Sequence, residues 1–132
     1  ILQKIEGIQD DHPNIIIMGD FNDDPNSESL QTLMRTGMFI NPMKQLLSPF
    51  EGSANYKGKW SLFDQILLTH SFLNYEAGTH SFIKAKIFSP RFLKEWKGRY
   101  KGNPFRTFAG KKYLGGYSDH FPVYIVLDEN KI

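Results

Sequence analysis

The sequence predicts a mixed α/β domain of the α+β type. Four apolar stretches have the length and composition of β-strands, at about residues 15–18, 62–69, 79–88 and 123–127. A further stretch, at residues 27–36, has apolar residues at helical spacing. Hydrophobic residues make up 40% of the 132 residues and aromatic residues 14%, which is enough for a core. We therefore expect one domain or one piece of a larger one.

The composition excludes several classes of protein. No apolar run is long enough to span a membrane, and the balance of residues is not that of a disordered chain. The absence of cysteine excludes disulfides and thiolate metal sites, and it leaves the cellular compartment undetermined. The chain opens at Ile1 without an initiator methionine, so we expect its start to be processed or cut.

The charge is small overall but unevenly distributed. Residues 1–30 hold seven acidic residues and one basic residue, whereas residues 84–112 hold ten basic residues and one acidic residue. A basic surface near an acidic site suits a phosphate-bearing substrate held with a divalent cation. The alternative is a solvated basic edge with no partner.

The first element expected is the end of an amphipathic helix. Four apolar residues share helical spacing there: Ile1, Leu2, Ile5 and Ile8. A strand follows at residues 15–18 and ends at Gly19. Its apolar residues show no alternation, which predicts that both of its faces are covered.

Polar residues follow this strand at once. Asp20 and Asn22 lie two residues apart, so their side chains would point the same way if the strand geometry continued. A carboxylate and an amide held together at the mouth of a sheet can orient a water, a metal ion or a phosphate. The alternative is that both residues only turn the chain, as Asp and Asn commonly do.

The middle of the chain predicts a helix and then less regular structure. Ser27 or Asn26 can cap a helix that ends at Gly37. A short helical turn is expected at about residues 42–47. Residues 48–59 are rich in Gly, Ser, Asn and Pro, which predicts a surface loop.

A carboxylate interrupts the next apolar strand. Asp64 lies within the run at residues 62–69, where an unpaired buried charge would be very costly. We therefore expect a basic or hydrogen-bond-donating partner for Asp64, and histidine is a good candidate. The alternative is an edge position that faces water.

A long, basic and aromatic stretch follows the strand at 79–88. Residues 97–117 are punctuated by glycines, and a loop of this length inside a compact domain is uncommon and often functional. Basic residues interleaved with aromatic rings suit a nucleic-acid backbone and unstacked bases. They equally suit a hairpin that packs its rings on the core. Trp60 and Trp96 are interpreted as packing residues.

An acid and an imidazole lie next to each other at the entrance of the last strand. Asp119 and His120 directly precede the apolar run at 123–127. A histidine there can act as a general base, a general acid or a stabiliser of developing negative charge. An adjacent aspartate can bind Mg²⁺. The other histidines (His12, His70 and His80) are assigned structural or surface roles.

Three stretches together resemble one family. They are Gly19-Asp20-Phe21-Asn22 after a strand, Phe63-Asp64-Gln65-Ile66-Leu67 at the start of a strand, and Ser118-Asp119-His120-Phe121-Pro122-Val123 at the final strand. Their order and contexts resemble the C-terminal half of the endonuclease/exonuclease/phosphatase superfamily. The resemblance implies part of a four-layered α/β sandwich, with a mixed, mostly antiparallel sheet flanked by helices.

The resemblance also implies an activity and a role for each matched residue. It implies a phosphoesterase dependent on Mg²⁺ or Mn²⁺, in which Asp20 positions or deprotonates the attacking water and helps hold the metal. Asn22 would hold a phosphate oxygen or help bind the metal. His120 would contact the phosphate, with its imidazole fixed by Asp64. Asp119 would be a metal ligand or lie directly behind one.

One departure from the family pattern shapes the remaining expectations. The family's other half supplies an asparagine and a metal-binding glutamate that nothing in residues 1–13 matches, and Glu6 is not assigned that role. Residues 1–132 are thus expected to be the C-terminal portion of one domain, inactive alone, whose uncovered sheet face favours self-association. The expected substrate is a phosphate ester, with nucleic acid slightly favoured. The alternative function is a non-catalytic module that binds polyanions or nucleic acid through residues 84–112.

Overall fold

The computed structural model describes residues 2–5, 7–8 and 13–132. Its two α-helices are α1 (Leu2–Ile5) and α2 (Glu28–Met34), and short 3₁₀ turns span Pro42–Gln45, His70–Leu73 and Arg91–Leu93. The strands are β1 (Ile16–Asp20), β2 (Phe39–Ile40), β3 (Ala54–Tyr56), β4 (Lys59–Ser61), β5 (Asp64–Thr69), β6 (His80–Ile87), β7 (Phe108–Ala109), β8 (Lys112–Tyr113) and β9 (Val123–Glu129). Glu6 and His12 lie outside the described residues.

The strands form small antiparallel sheets, which confirms the α+β class. The largest sheet has the order β1-β5-β2, with the apolar strand β5 at its centre. The long strands β6 and β9 form a second sheet, and β3-β4 and β7-β8 are two-stranded hairpins. Each strand pair in the described part of the chain is antiparallel.

Two apolar clusters lie on opposite faces of β5. On one face, Leu67 packs with Leu30 and Leu33 of α2, all 8% exposed or less. On the other face, Ile66 and Leu68 pack against the sheet of β6 and β9. Each of these buried side chains contributes about 2 kcal/mol through the hydrophobic effect. The described residues therefore stack as a helix layer, a first sheet and a second sheet, which are three layers of the expected sandwich.

The expectation that both faces of β1 are covered is wrong. Ile17 is half-buried against the helix layer, but Ile16 is 40% exposed and Met18 72% exposed. The side chains of Ile16 and Met18 share the face of Asp20, because side chains alternate along a strand. β1 is an edge strand of its sheet, and the two-stranded sheet of β6 and β9 does not cover this face.

The expectation of a surface loop at residues 48–59 is also wrong in part. Residues 54–61 form the hairpin β3-β4, with Tyr56 opposite Lys59. The turn between them, Lys57-Gly58, has positive φ angles of 51° and 85°. The helical turn expected near 42–47 is present as the 3₁₀ turn Pro42–Gln45.

The stretch expected to be a long loop is held together by its own backbone hydrogen bonds. We call residues 91–117 the basic strap. Its residue Phe105 donates its N–H to the carbonyl of Leu93 at 2.8 Å and accepts a hydrogen bond from the N–H of Tyr117 at 2.7 Å. Its regular structure is limited to the 3₁₀ turn Arg91–Leu93 and the short hairpin β7-β8. None of the described helices is long and apolar enough to cross a membrane.

Candidate active site

Two aspartates meet at the end of the β1-β5 pair. Asp20 is the last residue of β1, Asp64 is the first of β5, and the register places them directly opposite each other. The N–H of Phe21 donates to the carbonyl of Phe63 at 2.9 Å, which makes that pair the hydrogen-bonded one. Asp20 and Asp64 therefore form a non-hydrogen-bonded pair, whose side chains lie closer together. Two like charges so placed repel each other.

Gly19 permits this geometry just before the first carboxylate. Its φ angle is 152°, a value that side chains with a Cβ rarely adopt. Asp20 then turns the chain, because its Oδ1 accepts a hydrogen bond from the N–H of Asn22 at 2.9 Å. The exposed carboxylate of Asp20 is thus held by the loop that follows it.

His120 lies beside Asp64, although it comes from the segment just before the last strand, β9. It forms an isolated bridge with Ala54 of β3, and the next residue, Phe121, donates its N–H to the carbonyl of Ser53 at 2.7 Å. The Nδ1 atom of His120 lies 2.8 Å from Oδ2 of Asp64, and both side chains are about three-quarters buried, at 25% and 21% exposed. This is the partner that the sequence requires for Asp64.

Asp20, Asp64 and His120 form one cluster. One ligand atom from each of the three side chains lies within 4.8 Å of the others. Within the described residues, this is the one such group of three or more. A carboxylate pair beside an oriented imidazole can hold a cation, position a water and contact a phosphate.

A comparison with known protein families gives the family of the chain. A sequence model described as the Endonuclease/Exonuclease/phosphatase family matches residues 2–129. The chain belongs to this family. Neither a curated protein nor a solved structure matches the chain. Membership of the endonuclease/exonuclease/phosphatase family indicates a phosphoesterase-type hydrolase that acts on phosphate-ester or nucleic-acid substrates, in a group that generally depends on divalent metal ions.

The donor atoms fit a hard divalent cation of the kind this family uses. Asp64 engages His120 through Oδ2, and Asp20 engages the N–H of Asn22 through Oδ1. Each carboxylate thus keeps a second oxygen for another ligand. Mg²⁺ is typically held by one or two carboxylates together with waters and substrate phosphates.

Two other predicted site residues, Asn22 and Asp119, are not among the three clustered side chains. Asn22 has a φ angle of 52°, so the strand geometry stops at Asp20 and the expectation that residues 20 and 22 point the same way does not hold. Asp119 is exposed and does not belong to the group formed by Asp20, Asp64 and His120. The metal role of Asp119 stays a prediction.

A buried glutamine that sequence reasoning missed fixes the acidic loop of this family member. Gln65 is fully buried, and its Nε2 donates to the carbonyls of Asp23 and Leu62 at 3.1 and 2.5 Å. Its Oε1 accepts from Nδ2 of Asn41 at 3.1 Å. Asp24 also connects the acidic loop to the segment before β5, since its Oδ1 accepts a hydrogen bond from the N–H of Leu62 at 2.6 Å. The sequence signal that could have found Gln65 is its amide side chain inside an apolar strand, because a buried amide needs hydrogen-bond partners.

Proposed function

We propose that the full-length protein hydrolyses a phosphodiester or phosphomonoester by attack of water on phosphorus, with Mg²⁺ or Mn²⁺ as cofactor. The observation that carries this proposal is the 2.8 Å contact between Asp64 and His120, beside Asp20 at one rim of the first sheet. Family membership supports the hydrolase class but leaves the substrate open.

In this proposal His120 contacts the phosphate. The carboxylate of Asp64 accepts a hydrogen bond from Nδ1–H, which fixes the orientation of the ring. Nε2 is then directed to the substrate, and in the imidazolium form its N–H can donate to a phosphate oxygen as negative charge develops. The ring of Phe63, 6.2 Å from the imidazole between centroids, restricts its movement further.

In this proposal Asp20 is the general base that deprotonates the attacking water. Its exposed carboxylate accepts a proton from the water as the water oxygen forms a bond to phosphorus. The P–O ester bond on the opposite side breaks, and the leaving oxygen departs with the electron pair and takes up a proton from solvent water, while Asp20 releases its proton to solvent. The hydrogen bond from the Asn22 N–H keeps the carboxylate of Asp20 in place.

Asp20 and Asp64 are the residues best arranged to hold the cation, and Asp119 is a further ligand predicted from the sequence. A bound divalent cation neutralises charge on the phosphate oxygens. Asn22 remains a candidate for binding a phosphate oxygen. We assign Asp64 a double role, as a positioning residue for His120 and as an oxygen donor through its second oxygen.

The donor set offered by the described residues is incomplete by comparison with the family pattern. The cluster of possible ligands contains two aspartates and a histidine but no glutamate in the described part of the chain. We therefore propose that residues 1–132 are the C-terminal portion of one domain, and that the site is complete only in a longer protein.

The test is hydrolysis of bis-p-nitrophenyl phosphate by the full-length protein. We expect activity that requires Mg²⁺ or Mn²⁺ and that falls by about 10²-fold or more in His120→Ala. Residues 1–132 alone should have little activity. A rate unchanged in His120→Ala would contradict the role of His120, and strong hydrolysis by residues 1–132 alone would contradict the incomplete site.

The second candidate function is a non-catalytic module that binds polyanions. It is supported by the ten basic residues at 84–112, none of which forms an ion pair with an acid in the described ranges. Binding that persists in a full-length protein with no hydrolytic activity would favour this function. Such binding should weaken steeply as the salt concentration rises.

A further inference from the structure

A cleft lies between the β3-β4 hairpin and the basic strap, apart from the acidic cluster. Its volume is about 450 Å³, a size typical of ligand-binding clefts. Three cationic side chains line it, Lys57, Arg99 and Arg106, together with one acidic side chain, Glu95. The described residues show no ion pair for any of the three cations. The cleft therefore has an uncompensated positive charge.

Two aromatic rings accompany these cations on different elements. On the hairpin, Nζ of Lys57 lies 5.2 Å from the centroid of the Tyr56 ring. On the strap, Cζ of Arg99 lies 5.8 Å from the centroid of the Tyr100 ring. Both tyrosines line the cleft and remain 70% and 58% exposed. Each element thus offers one ring and one cation to the same space.

A buried amide joins the two elements. Asn55 is 6% exposed, and its Oδ1 accepts from the N–H of Gly58 at 3.1 Å and from Nδ2 of Asn103 at 3.3 Å. The first bond closes the hairpin turn, and the second holds the strap against the hairpin. The cleft is therefore a preformed feature of the fold.

The turn residue Lys57 is an unexpected choice for its backbone conformation. A two-residue hairpin turn with both φ angles positive favours Asn-Gly, since few other residues tolerate the left-handed conformation. Lys57 has a φ angle of 51°. A lysine thus occupies this turn position, although an asparagine or a glycine would adopt the same backbone conformation with less strain.

The cleft is tied to the proposed active site through both of its walls. Ala54, next to Asn55 in β3, forms the bridge with His120. On the other wall, the N–H of Gly116 donates to the carbonyl of Arg106 at 3.1 Å. A side chain at Gly116 would collide with the backbone of Phe105 and Arg106, so this wall packs tightly against the end of the strap that leads to His120.

We propose that this cleft binds a segment of single-stranded nucleic acid, with unpaired bases stacked on Tyr56 and Tyr100 and phosphates held by Lys57, Arg99 and Arg106. Stacking on exposed rings requires unpaired bases, and the cations suit the phosphates between them. A small phosphate ester without a base would leave the rings unused. This inference rests on the proposed function insofar as the bound strand is the substrate.

The test is the binding of fluorescein-labelled hexathymidylate to the full-length protein, measured by fluorescence anisotropy in EDTA so that no hydrolysis occurs. We expect the double variant Arg99→Ala with Arg106→Ala to bind at least tenfold more weakly. Its salt dependence should flatten by about 1.4 in log–log slope, since each phosphate of a single strand that a cation neutralises adds about 0.7 to that slope. The control, Arg35→Ala with Lys44→Ala, removes the same charge from exposed positions and should leave affinity within twofold.

Tyrosine variants test the stacking separately from the charge. Tyr100→Ala should lower affinity by about fivefold to 150-fold with no change in salt slope, as expected when one base no longer stacks. Tyr75→Ala, at a 75% exposed tyrosine that does not line the cleft, is the matched control. Equal effects of Tyr100→Ala and Tyr75→Ala would overturn the proposal.

Lys57→Asn separates binding from folding. Asparagine tolerates the positive φ angle, so this variant should unfold at a higher temperature while binding hexathymidylate more weakly. Unchanged binding in Lys57→Asn would overturn the role of the hairpin cation.

Other ligands test the choice of single-stranded nucleic acid. Equal affinity for a duplex of the same length, or binding to phosphatidylserine vesicles without binding to hexathymidylate, would overturn that choice.

The outcomes distinguish this inference from the proposed function. Binding of hexathymidylate through these residues without hydrolysis of any phosphate ester would support the cleft and overturn the hydrolase proposal. Hydrolysis of bis-p-nitrophenyl phosphate without binding of hexathymidylate would overturn the cleft proposal alone.

Discussion

Asp20 and Asp64 lie directly opposite each other at the end of the β1-β5 pair, at a non-hydrogen-bonded position. Without a cation, this juxtaposition of two carboxylates opposes folding, because like charges directly across a strand pair are destabilising. The same juxtaposition favours a bound divalent cation. The stability of the fold should therefore report on metal binding even where no substrate is turned over.

Asp20→Asn should stabilise the metal-free protein and reduce its response to metal. We expect a gain of about 0.2 to 1 kcal/mol in the free energy of unfolding without divalent ions, from relief of the repulsion. Mg²⁺ should raise the melting temperature of the wild type more than that of the variant. Thermal unfolding with and without Mg²⁺ measures both effects. Asp128→Asn, at an exposed position in β9, is the control, and equal Mg²⁺ responses in wild type and Asp20→Asn would contradict the assignment.

Gln65→Leu should destabilise the protein and loosen the acidic loop. The change leaves the amide of Asn41 and the carbonyls of Asp23 and Leu62 without their partner, at a cost of about 2 to 3 kcal/mol. Urea unfolding measures the decrease, and hydrolysis by the full-length protein should fall as well. The exposed Gln45→Leu should stay within about 0.5 kcal/mol of the wild type. A small effect at Gln65 would show that water replaces its bonds.

Ser53→Ala should stabilise the protein. The hydroxyl of Ser53 is fully buried and has no hydrogen-bond partner in the part of the chain that the structure describes. Its removal should raise the free energy of unfolding by about 1 kcal/mol. Ser71→Ala is the contrasting control, because its hydroxyl contacts the Pro13 carbonyl at 3.1 Å and the Thr69 hydroxyl at 2.8 Å. Ser71→Ala should lower stability, and a decrease in Ser53→Ala would contradict the account.

Met18→Lys should reduce self-association of residues 1–132. Met18 and Ile16 expose an apolar face on an edge strand, and such edges invite pairing with another chain. Sedimentation velocity over a range of concentrations should show association of the wild type and less of it in the variant. Phe50→Lys, at an 87% exposed side chain outside this face, is the control. A wild type that stays monomeric throughout would contradict the prediction.

The sequence predicted the elements whose hydrophobic pattern is strong. β5, β6, β9 and α2 are present near their expected positions, and the demand of Asp64 for a partner anticipated its contact with His120. These predictions succeeded for two reasons. A periodic pattern of apolar residues determines the local secondary structure, and a buried carboxylate needs a partner wherever that partner lies in the chain.

Other features depend on contacts that a local pattern does not contain. The hairpin β3-β4 has few β-branched residues, and its position is fixed by the bridge of Ala54 with His120 and by the amide of Asn55. The apolar run of β1 indicated two covered faces, but coverage depends on how far the second sheet extends. Gln65 was missed because its three partners come from other segments of the chain.

The most direct test of the central claim is a double-mutant cycle on Asp64 and His120 in the full-length protein. The rate of Mg²⁺-dependent hydrolysis of bis-p-nitrophenyl phosphate is measured for the wild type, Asp64→Asn, His120→Ala and the double variant. Because Asp64 positions the imidazole, we predict that each single change lowers the rate by about 10²-fold or more. At saturating Mg²⁺, which offsets the weaker oxygen donor at residue 64, the double variant should be slower by much less than the product of the two single effects. Fully additive decreases, or a rate unaffected by either change, would contradict the account.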